Sequence, residues 1–535
     1  MRRWNGWGDE TYLYPLGESA RRFLHEKVGP GKPPKDATLD EVAARVPRSR
    51  LPAHPLVDTD PGERVRHARG QSLPDWIAVR SGRIEYFPDG VAYPENSQEV
   101  GALLEFAAKN GIRLIPYGGG TSVAGHVNVY DGEIPVLTVD LGRMNRLLHL
   151  DEESQLATFE AGVRGPDLEA ALRARGYTLG HYPQSFEYST LGGWICTRSS
   201  GQQSLGYGRI ERLFAGGRLQ TYGGTGTQRG TLALPPFPAS AAGPDLKEFV
   251  LGSEGRFGIL TEATIRVRVV PEVEDFRAIF FPDFESGINA LKQLARRRLS
   301  LTMLRLSTAE ETGTTLALAG HEKLLTLLDR YLRVRGAGGE KCLLIYGMAG
   351  SWAEVAFAAK RVREIAGRSS GVYAGRIFGK EWHKSRFKTP YLRNTLWDEG
   401  YAVDTLETAV PWSRVSGLVK EIQEKLSTGL SPLNEKVHVF THLSHVYIDG
   451  CSIYTTYLYR LAGNPEETLR RWQVLKGLAS KIIVDWGGTI SHQHGVGRDH
   501  LPYLQAEKGE MGVSLLKGVG RILDPDNLMN PGKLF

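Results

Sequence analysis

Pro116-Tyr117-Gly118-Gly119-Gly120-Thr121-Ser122 follows a short apolar stretch (Ile112, Leu114) and a helical segment that closes at Asn110-Gly111. Three consecutive glycines leave the main-chain N–H groups unobstructed, and Thr121 and Ser122 add two hydroxyl donors. Such a loop wraps a pyrophosphate through main-chain donors and needs no cation to do so. Neither G-x-G-x-x-G nor G-x-x-x-x-G-K-[ST] stands between a strand and a helix in this chain, so the Rossmann and P-loop solutions are not offered.

Working outward, Ser97 is placed to cap a helix whose apolar positions Val100, Leu103, Leu104 and Ala107 fall at i, i+3, i+4 and i+7. Strands are expected at 112–116, 135–141 and 155–163, and a second helix opens at Pro166 and stops at Gly176. Residues 221–240, rich in Gly and then Pro, read as a long hairpin or surface loop. Past Pro271 the texture changes. Strands expected at 276–281, 302–307, 342–348, 436–447 and 451–460 alternate with helices near 284–298, 352–367, 413–427 and 465–484. The fold class is therefore α+β, with a second antiparallel sheet covered by helices on one side. The expected division is an irregular extension over 1–83, a ligand-binding domain over 84–270, a cap over 271–490, and a segment of loop and short helix over 491–535 that completes the site.

A chain of 535 residues buries a large core, and roughly three domains are usual at that size. Its 41% hydrophobic and 24% charged content is that of a soluble globular protein. No apolar run approaches the ~20 residues needed to span a bilayer, and Met1-Arg2-Arg3-Trp4-Asn5-Gly6-Trp7 lacks the apolar core of a secretory signal. The net charge of +6 is spread thinly, so nucleic acid is not an expected partner. Cys196, Cys342 and Cys451 are too few and too far apart for a disulfide framework, which suits a reducing cytoplasm.

Two later segments share the texture of the first loop. Gln184-Ser185-Phe186-Glu187-Tyr188-Ser189-Thr190 leads into Leu191-Gly192-Gly193-Trp194-Ile195-Cys196-Thr197-Arg198-Ser199-Ser200-Gly201, dense in hydroxyls and glycines. Gly252-Ser253-Glu254-Gly255-Arg256-Phe257-Gly258-Ile259-Leu260 combines close-approach glycines with a strand re-entry. A polar cofactor demands many donors at short range, because each buried polar atom left unpaired costs roughly 1–3 kcal/mol.

In this order and spacing the three segments resemble the FAD-binding domain of the vanillyl-alcohol-oxidase/PCMH superfamily. That resemblance implies a PCMH-type fold over residues 84–270. The flavin pyrophosphate is expected on 116–122, and its other polar atoms on 184–190, 197–200 and 254–260. Where some members carry a His that tethers the flavin, this chain has Thr121, so non-covalent FAD is expected and His126 is read as structural.

Two families on that scaffold compete. The chain is similar to the alkyldihydroxyacetonephosphate synthases over nearly its whole length. The carriers are Arg3-Trp4-Asn5-Gly6-Trp7-Gly8, the second flavin loop, Ala242-Gly243-Pro244-Asp245, Tyr391-Leu392-Arg393, Cys451-Ser452-Ile453-Tyr454 and Ser491-His492-Gln493-His494-Gly495-Val496-Gly497. The last resembles a Ser-His-His-His-Gly-Val-Gly run, with Gln493 at the middle His. The alternative is a dehydrogenase or oxidase of a 2-hydroxy acid such as D-lactate or glycolate, and a flavin binder without turnover is a third reading. The dehydrogenase group usually shows a Gly-His-x-Gly-Asp-Gly-Asn-Leu-His metal pattern. Here His442-Leu443-Ser444-His445 keeps two histidines but not that pattern, and on a strand the two face opposite sides. His438 and His442 share a face without a carboxylate partner. No metal is expected.

The synthase resemblance implies exchange of the acyl chain of 1-acyl-dihydroxyacetone phosphate for a long-chain fatty alcohol, redox-neutral overall, with C1 held on the flavin. It implies Tyr454 as general base, its phenol acidified by His492, His494 or Arg305. Arg393 would grip the phosphate, and His181 would line the site. It also implies lipid-like substrates and peripheral membrane contact; a homodimer is expected on base rates. Lys533-Leu534-Phe535 is not a peroxisomal address, so a cytoplasmic location is expected.

Overall fold

The computed structural model describes residues 2–130, 132–222, 230–319 and 322–535. A four-stranded sheet runs Val57–Asp58, Gly90–Ala92, Val136–Asp140, Arg113–Tyr117, its last three strands parallel. Parallel neighbours need a crossover, and the helix Ser97–Asn110 supplies it, burying Val100, Leu103, Leu104 and Ala107. Asn96, not Ser97, is the cap: its side chain accepts from Glu99 N, and Gly111 closes the helix at φ 61°. The strand Arg113–Tyr117 therefore ends at the glycine loop, outside the carboxyl edge of the sheet.

A five-stranded antiparallel sheet stands beside it, ordered Leu147–Asp151, Leu156–Glu160, Ile259–Arg266, Phe214–Gln220, Thr231–Leu234. Residues 223–229 of the loop expected at 221–240 lie outside the described residues, but its return strand Thr231–Leu234 pairs with Phe214–Gln220. These two sheets and their helices form the domain for which the sequence predicts a PCMH-type FAD-binding fold.

The cap is a seven-stranded antiparallel sheet in the order Val372–Gly375, Val273–Phe281, Cys342–Gly350, Leu301–Ser307, His438–Val446, Gly450–Arg460, Tyr401–Pro411. Its pleat sorts side chains cleanly. Ile279, Phe281, Leu344, Tyr346 and Met348 pack under the helices Phe284–Ala295, Trp352–Arg368, Trp412–Thr428 and Pro465–Asp485. Phe276, Ala278, Phe280, Leu343 and Ile345 face the other way. That second face is not bare, as a one-sided cover implied. The helices Ala309–Ala319 and Ile377–Ser385 pack against it, and between them and the FAD-binding domain lies the large cavity.

Both ends of the chain return to the site. Leu114 pairs with Met529 as an isolated bridge, and the C-terminal segment carries a long helix, Leu504–Leu523, kinked at Gly509, where only loop and short helix were expected. At the other end, Trp7 N donates to Asn394 Oδ1 at 3.0 Å and Asn394 Nδ2 donates to Trp7 O at 2.9 Å. The N-terminal arm is thereby fastened to the helix Thr389–Asp398, which carries Arg393. A Cβ on Gly8, at φ 80°, would fall 2.2 Å from the Tyr391 ring. Arg2 reaches across to the carbonyl of Gly119, so the arm also touches the glycine loop. No helix among the described residues is long and apolar enough to cross a membrane.

Candidate active site

A cavity of about 1450 Å³ runs between the flavin loops and the cap sheet. One wall is the glycine loop, with all of Pro116, Tyr117, Gly118, Gly119, Gly120, Thr121 and Ser122 on the lining. The glycines are there for packing as well as for donors. A Cβ on Gly118 would stand 2.3 Å from Thr190 Oγ1, and one on Gly119 would stand 1.9 Å from Tyr188 O. The first flavin loop is thus laid directly on the second, and only glycine permits the approach. Gly119→Ala is expected to abolish flavin retention, measured as the loss of visible absorbance in the purified protein.

From the second loop, Gln184, Ser185, Ser189, Thr190, Thr197, Ser199 and Ser200 line the cavity, as do Glu254, Gly255, Gly258 and Leu260 from the third. Other residues expected to touch the cofactor stand behind this wall. Phe186 stacks on Phe387 and Trp194, and Glu187 pairs with Lys388 at 3.2 Å. The Tyr188 hydroxyl meets that of Tyr391 at 3.0 Å, and Arg198 turns outward to Glu248. Arg256 holds Met529 O and Asn527, while Phe257 and Ile259 lie in the core. Glu254 touches the cavity but spends its carboxylate on the neighbouring turn, accepting from Val496 N at 2.5 Å and Gly497 N at 2.8 Å.

The residues present fit FAD: a donor-rich glycine cradle, a row of hydroxyls, and Asn530 on the lining with Oδ1 buried and unpaired. His126 is held by Ser122 Oγ at 2.6 Å and by Glu254 at 3.2 Å, in keeping with a structural part.

The opposite wall carries the cap residues, and here the structure rearranges the expected set. Tyr454, Gln493, His494, Arg305 and Arg393 line the cavity; His492 and His181 do not. His492 Nε2 faces Tyr447 OH at 2.6 Å and the Arg209 guanidinium at 2.7 Å, and burial holds its pKa well below the usual histidine value. It is a neutral structural ring, not a cation near Tyr454. His181 is fully buried behind Ser199, at 3.2 Å, with burial lowering its pKa to about 3.

Arg305 does line the cavity but is clamped by Glu311 and also reaches His442 Nδ1 at 3.2 Å. Its charge is met before it can act on a phenol. Tyr454, stacked on His442 at 5.0 Å, is accordingly not acidified: burial, with Glu407, Asp404 and Glu311 nearby, pushes it up to about 12. At neutral pH this phenol keeps its proton.

Arg393 is the one cation left with donors to spare on this wall among those expected. NH1 donates to Gln71 O at 2.6 Å and the guanidinium lies 4.3 Å over the Trp76 ring, while Nε and NH2 are buried without partners. Burial lowers its pKa to about 10. A planar fork with two unpaired donors, on a side chain that lines the cavity, suits an oxyanion.

Three features escaped the sequence reading. Glu407, in Tyr401–Pro411, is buried and takes Ser491 Oγ at 3.0 Å and the amides of His492, Gln493 and His494 at 2.8, 2.9 and 3.0 Å. Burial raises its pKa, but the charge of His494 and then the hydrogen bonds from the Gln493 and His494 amides and Ser491 bring it below the usual value. The available signal was a carboxylate beside Leu406, Ala409 and Val410, in a strand that also carries Asp404. Second, His442 does have a carboxylate, Glu311 at 3.0 Å from the helix Ala309–Ala319. Third, His442 and His445 do not face opposite sides: both line the cavity. A bulge between Ser444 and Val446, with His445 at φ 45°, resets the alternation. Among the described residues no group of three or more His, Cys, Asp or Glu could hold a metal ion.

The buried histidines predict acid lability. His181 and His445 have folded pKa values of about 3 against an ordinary 6.5. Below pH 6.5 the unfolded chain takes protons that the folded one refuses, so stability falls progressively as pH drops from 6.5 toward 3. Thermal melts across that range are expected to show a declining Tm.

Comparison with known proteins agrees with this geometry. Residues 88–228 match the family described as FAD binding domain, and residues 270–534 match FAD linked oxidases, C-terminal domain. The alkyldihydroxyacetonephosphate synthase of Dictyostelium discoideum is 32% identical, covering 100% of this chain and 93% of that protein. The enzyme of the same name from Trypanosoma brucei brucei is 29% identical, covering 100% and 92%. A solved structure of an alkyldihydroxyacetonephosphate synthase superposes with a TM-score of 0.84 at 28% identity, covering 100% of this chain and 99% of that one. The likeness runs through arm, flavin domain, cap and tail alike, and on that footing the chain, an FAD-binding protein, belongs to the alkyldihydroxyacetonephosphate synthase family.

Proposed function

We propose that this protein exchanges the acyl chain of 1-acyl-dihydroxyacetone phosphate for a long-chain fatty alcohol, giving the ether lipid precursor. The observation that carries the reading is the Arg393 fork, two buried unpaired donors on the wall of a cavity whose far part is apolar, with Leu316, Leu328, Phe378 and Trp382 on its lining. A phosphate at one end and hydrocarbon at the other match that division. The exchange balances without an oxidant: the alcohol contributes RO, the acyl group leaves as a fatty carboxylate, and one proton is released. FAD, held by the loops 116–122, 184–200 and 254–260, would supply flavin-ring chemistry next to C1 of the substrate.

The chain's own residues bind and steer. Arg393 holds the phosphate. Tyr454, whose phenol keeps its proton in this site, offers its O–H to an oxygen at C1 and serves there as hydrogen-bond donor and general acid. His494, 6.0 Å from the Tyr454 ring, stands on the same wall, and the turn that bears it is fixed by Glu407. Thr121 replaces the tethering His and His126 is engaged elsewhere, which supports a non-covalent flavin. Acid precipitation is expected to release all of it into the supernatant.

Peripheral membrane contact is part of the proposal. Leu327, Tyr331 and Ile377 line the cavity and are also 65%, 44% and 74% exposed, so the apolar part opens through a greasy rim. Arg330 and Arg333 lie on the same helix, Glu322–Val334.

FAD-loaded protein incubated with acyl-dihydroxyacetone phosphate and labelled hexadecanol is expected to yield labelled ether lipid. Tyr454→Phe is expected to lower the rate by about 10²–10⁴, the range for removing a proton-transfer group, with flavin content unchanged. Flavin reduction by D-lactate or glycolate without ether product would overturn the reading.

A further inference from the structure

The cavity leaves its polar centre in two directions. Leu328, Phe378 and Trp382 pack on an apolar cluster whose strands, Val273–Phe281 and Cys342–Gly350, lie toward one edge of the cap sheet. Leu24, Leu318, Leu396, Val403 and Leu458 belong to a second cluster that shares no residue with the first, and all five also line the cavity. The strands of this second cluster, Gly450–Arg460 and Tyr401–Pro411, form the opposite edge. Two strands stand between those of Leu343 and Leu458, Leu301–Ser307 and His438–Val446, and they carry Arg305 and His442. At ~4.8 Å per strand, Leu343 and Leu458 belong to strands about 14 Å apart. Hydrocarbon thus lies on either side of a polar middle.

The second branch is graded along its strands. Cross-strand pairing sets His442 opposite Tyr454, Phe440 and Thr405 on either side of Thr456, and His438 and Val403 on either side of Leu458. All of these side chains line the cavity. Four residues of strand, about 13 Å, carry the lining from phenol and imidazole through hydroxyls to aliphatic groups. His438 sets no charge against them. Its Nε2 and Thr314 Oγ1 are 2.9 Å apart, the Phe23 ring lies edge-on at 5.5 Å, and burial lowers its pKa to about 4. Phe23 and Leu24, from the helix Glu18–Val28, line the far end. Leu24, Leu396 and Leu458 are 4%, 6% and 4% exposed, so this branch is closed, whereas the other opens at Leu327, Tyr331 and Ile377.

We propose that the closed branch is a second hydrocarbon subsite, which takes the acyl chain of 1-acyl-dihydroxyacetone phosphate while the alcohol enters through the open one. Arg393 and Leu396 are three residues apart on the helix Thr389–Asp398, and hence neighbours on its surface. A chain joined to a head held at Arg393 has its shortest route into the branch that Leu396 lines. The alcohol brings no such head and needs only an entrance from an apolar phase, which the exposed rim supplies. Each methylene moved out of water contributes about 0.8 kcal/mol, about fourfold in affinity. The inference rests on the synthase reading and on Arg393 as its phosphate site.

The test compares two chain-length profiles of kcat/KM on the FAD-loaded protein, one over acyl chains from hexanoyl to hexadecanoyl and one over alcohols of the same lengths. Val403→Phe and Leu396→Phe fill the closed branch from opposite walls, and Ala374→Phe fills the open one, where Ala374 is on the lining. Flavin content and Tm are read for each, and either closed-branch variant suffices if the other fails to fold. The parent is expected to gain about tenfold or more from hexanoyl to decanoyl. Val403→Phe and Leu396→Phe are expected to lose that rise with the shape of the alcohol profile kept, and Ala374→Phe to do the reverse. Closed-branch variants that alter the alcohol profile instead, both profiles together, or neither overturn the proposal. If the parent makes no ether lipid, the synthase reading fails separately. The branch is then judged by calorimetric binding of hexadecanoate: affinity lost about tenfold or more in Leu396→Phe and kept in Ala374→Phe supports it, and any other pattern overturns it.

Discussion

Arg393→Met is expected to weaken binding of 1-acyl-dihydroxyacetone phosphate by about 100- to 10,000-fold without unfolding the protein. Arg393 lines the cavity and keeps two buried donors, Nε and NH2, without partners, and hydrogen bonds to a charged partner contribute about 1.5–3 kcal/mol each. At 1.4 kcal/mol per factor of ten, the loss of two accounts for that range. The stability arm of the prediction runs the other way. The ligand-free protein holds a cation whose pKa burial has lowered to about 10, an unfavourable arrangement in the absence of its anion. Methionine keeps the contact with Trp76 and sacrifices only the bond to Gln71 O. The Tm is therefore expected to stay level or rise while affinity collapses. Calorimetric titration and a thermal melt on the same sample check both arms, and an unchanged Kd would remove the phosphate from Arg393.

Glu407→Gln is expected to be the most damaging single-atom change in the cap. The carboxylate gathers three successive amides and one hydroxyl, and so fixes the turn that presents Gln493 and His494. Glutamine must turn an NH2 toward donors, leaving buried N–H groups unpaired. Breaking one side of a buried charged network costs on the order of 3–5 kcal/mol. Stability should fall by about that amount, and ether product should fall with it because the turn no longer holds its shape. The effect carries a pH signature. The folded pKa of Glu407 lies below the ordinary 4.5, so its contribution is complete above pH 4.5 and is lost as pH falls through the folded value. The gap between parent and variant should be constant at neutral pH and should close in acid. A gap that persists at the lowest pH would mean the amides, not the charge, carry the effect.

The sequence determined the flavin domain because its information is local. A glycine loop, hydroxyl-rich segments and period-3.6 or period-2 patterning each describe a few contiguous residues, and 116–122 line the cavity as their spacing implies. The same is true of the cap strands and its four covering helices, whose apolar positions follow the pleat and the helical turn.

What only the tertiary structure decided is which way each polar side chain of the cap points, and against what. His492 and His494 are two residues apart on one turn, yet one is sealed against Arg209 and the other faces the cavity, because Glu407 from a distant strand fixes the turn. His445 reaches the site through a bulge that breaks the alternation any strand reading assumes. The phenol of Tyr454 is raised rather than acidified, since it is buried, the charges around it come from Glu407, Asp404 and Glu311, and the cation of Arg305 is already matched. A titration position is a sum over neighbours in space, and the neighbours here are brought together from separate parts of the chain. The opening Trp-Asn-Gly-Trp-Gly, irregular as sequence, is likewise intelligible only once Asn394 grips it and the helix of Arg393 is seen to depend on it.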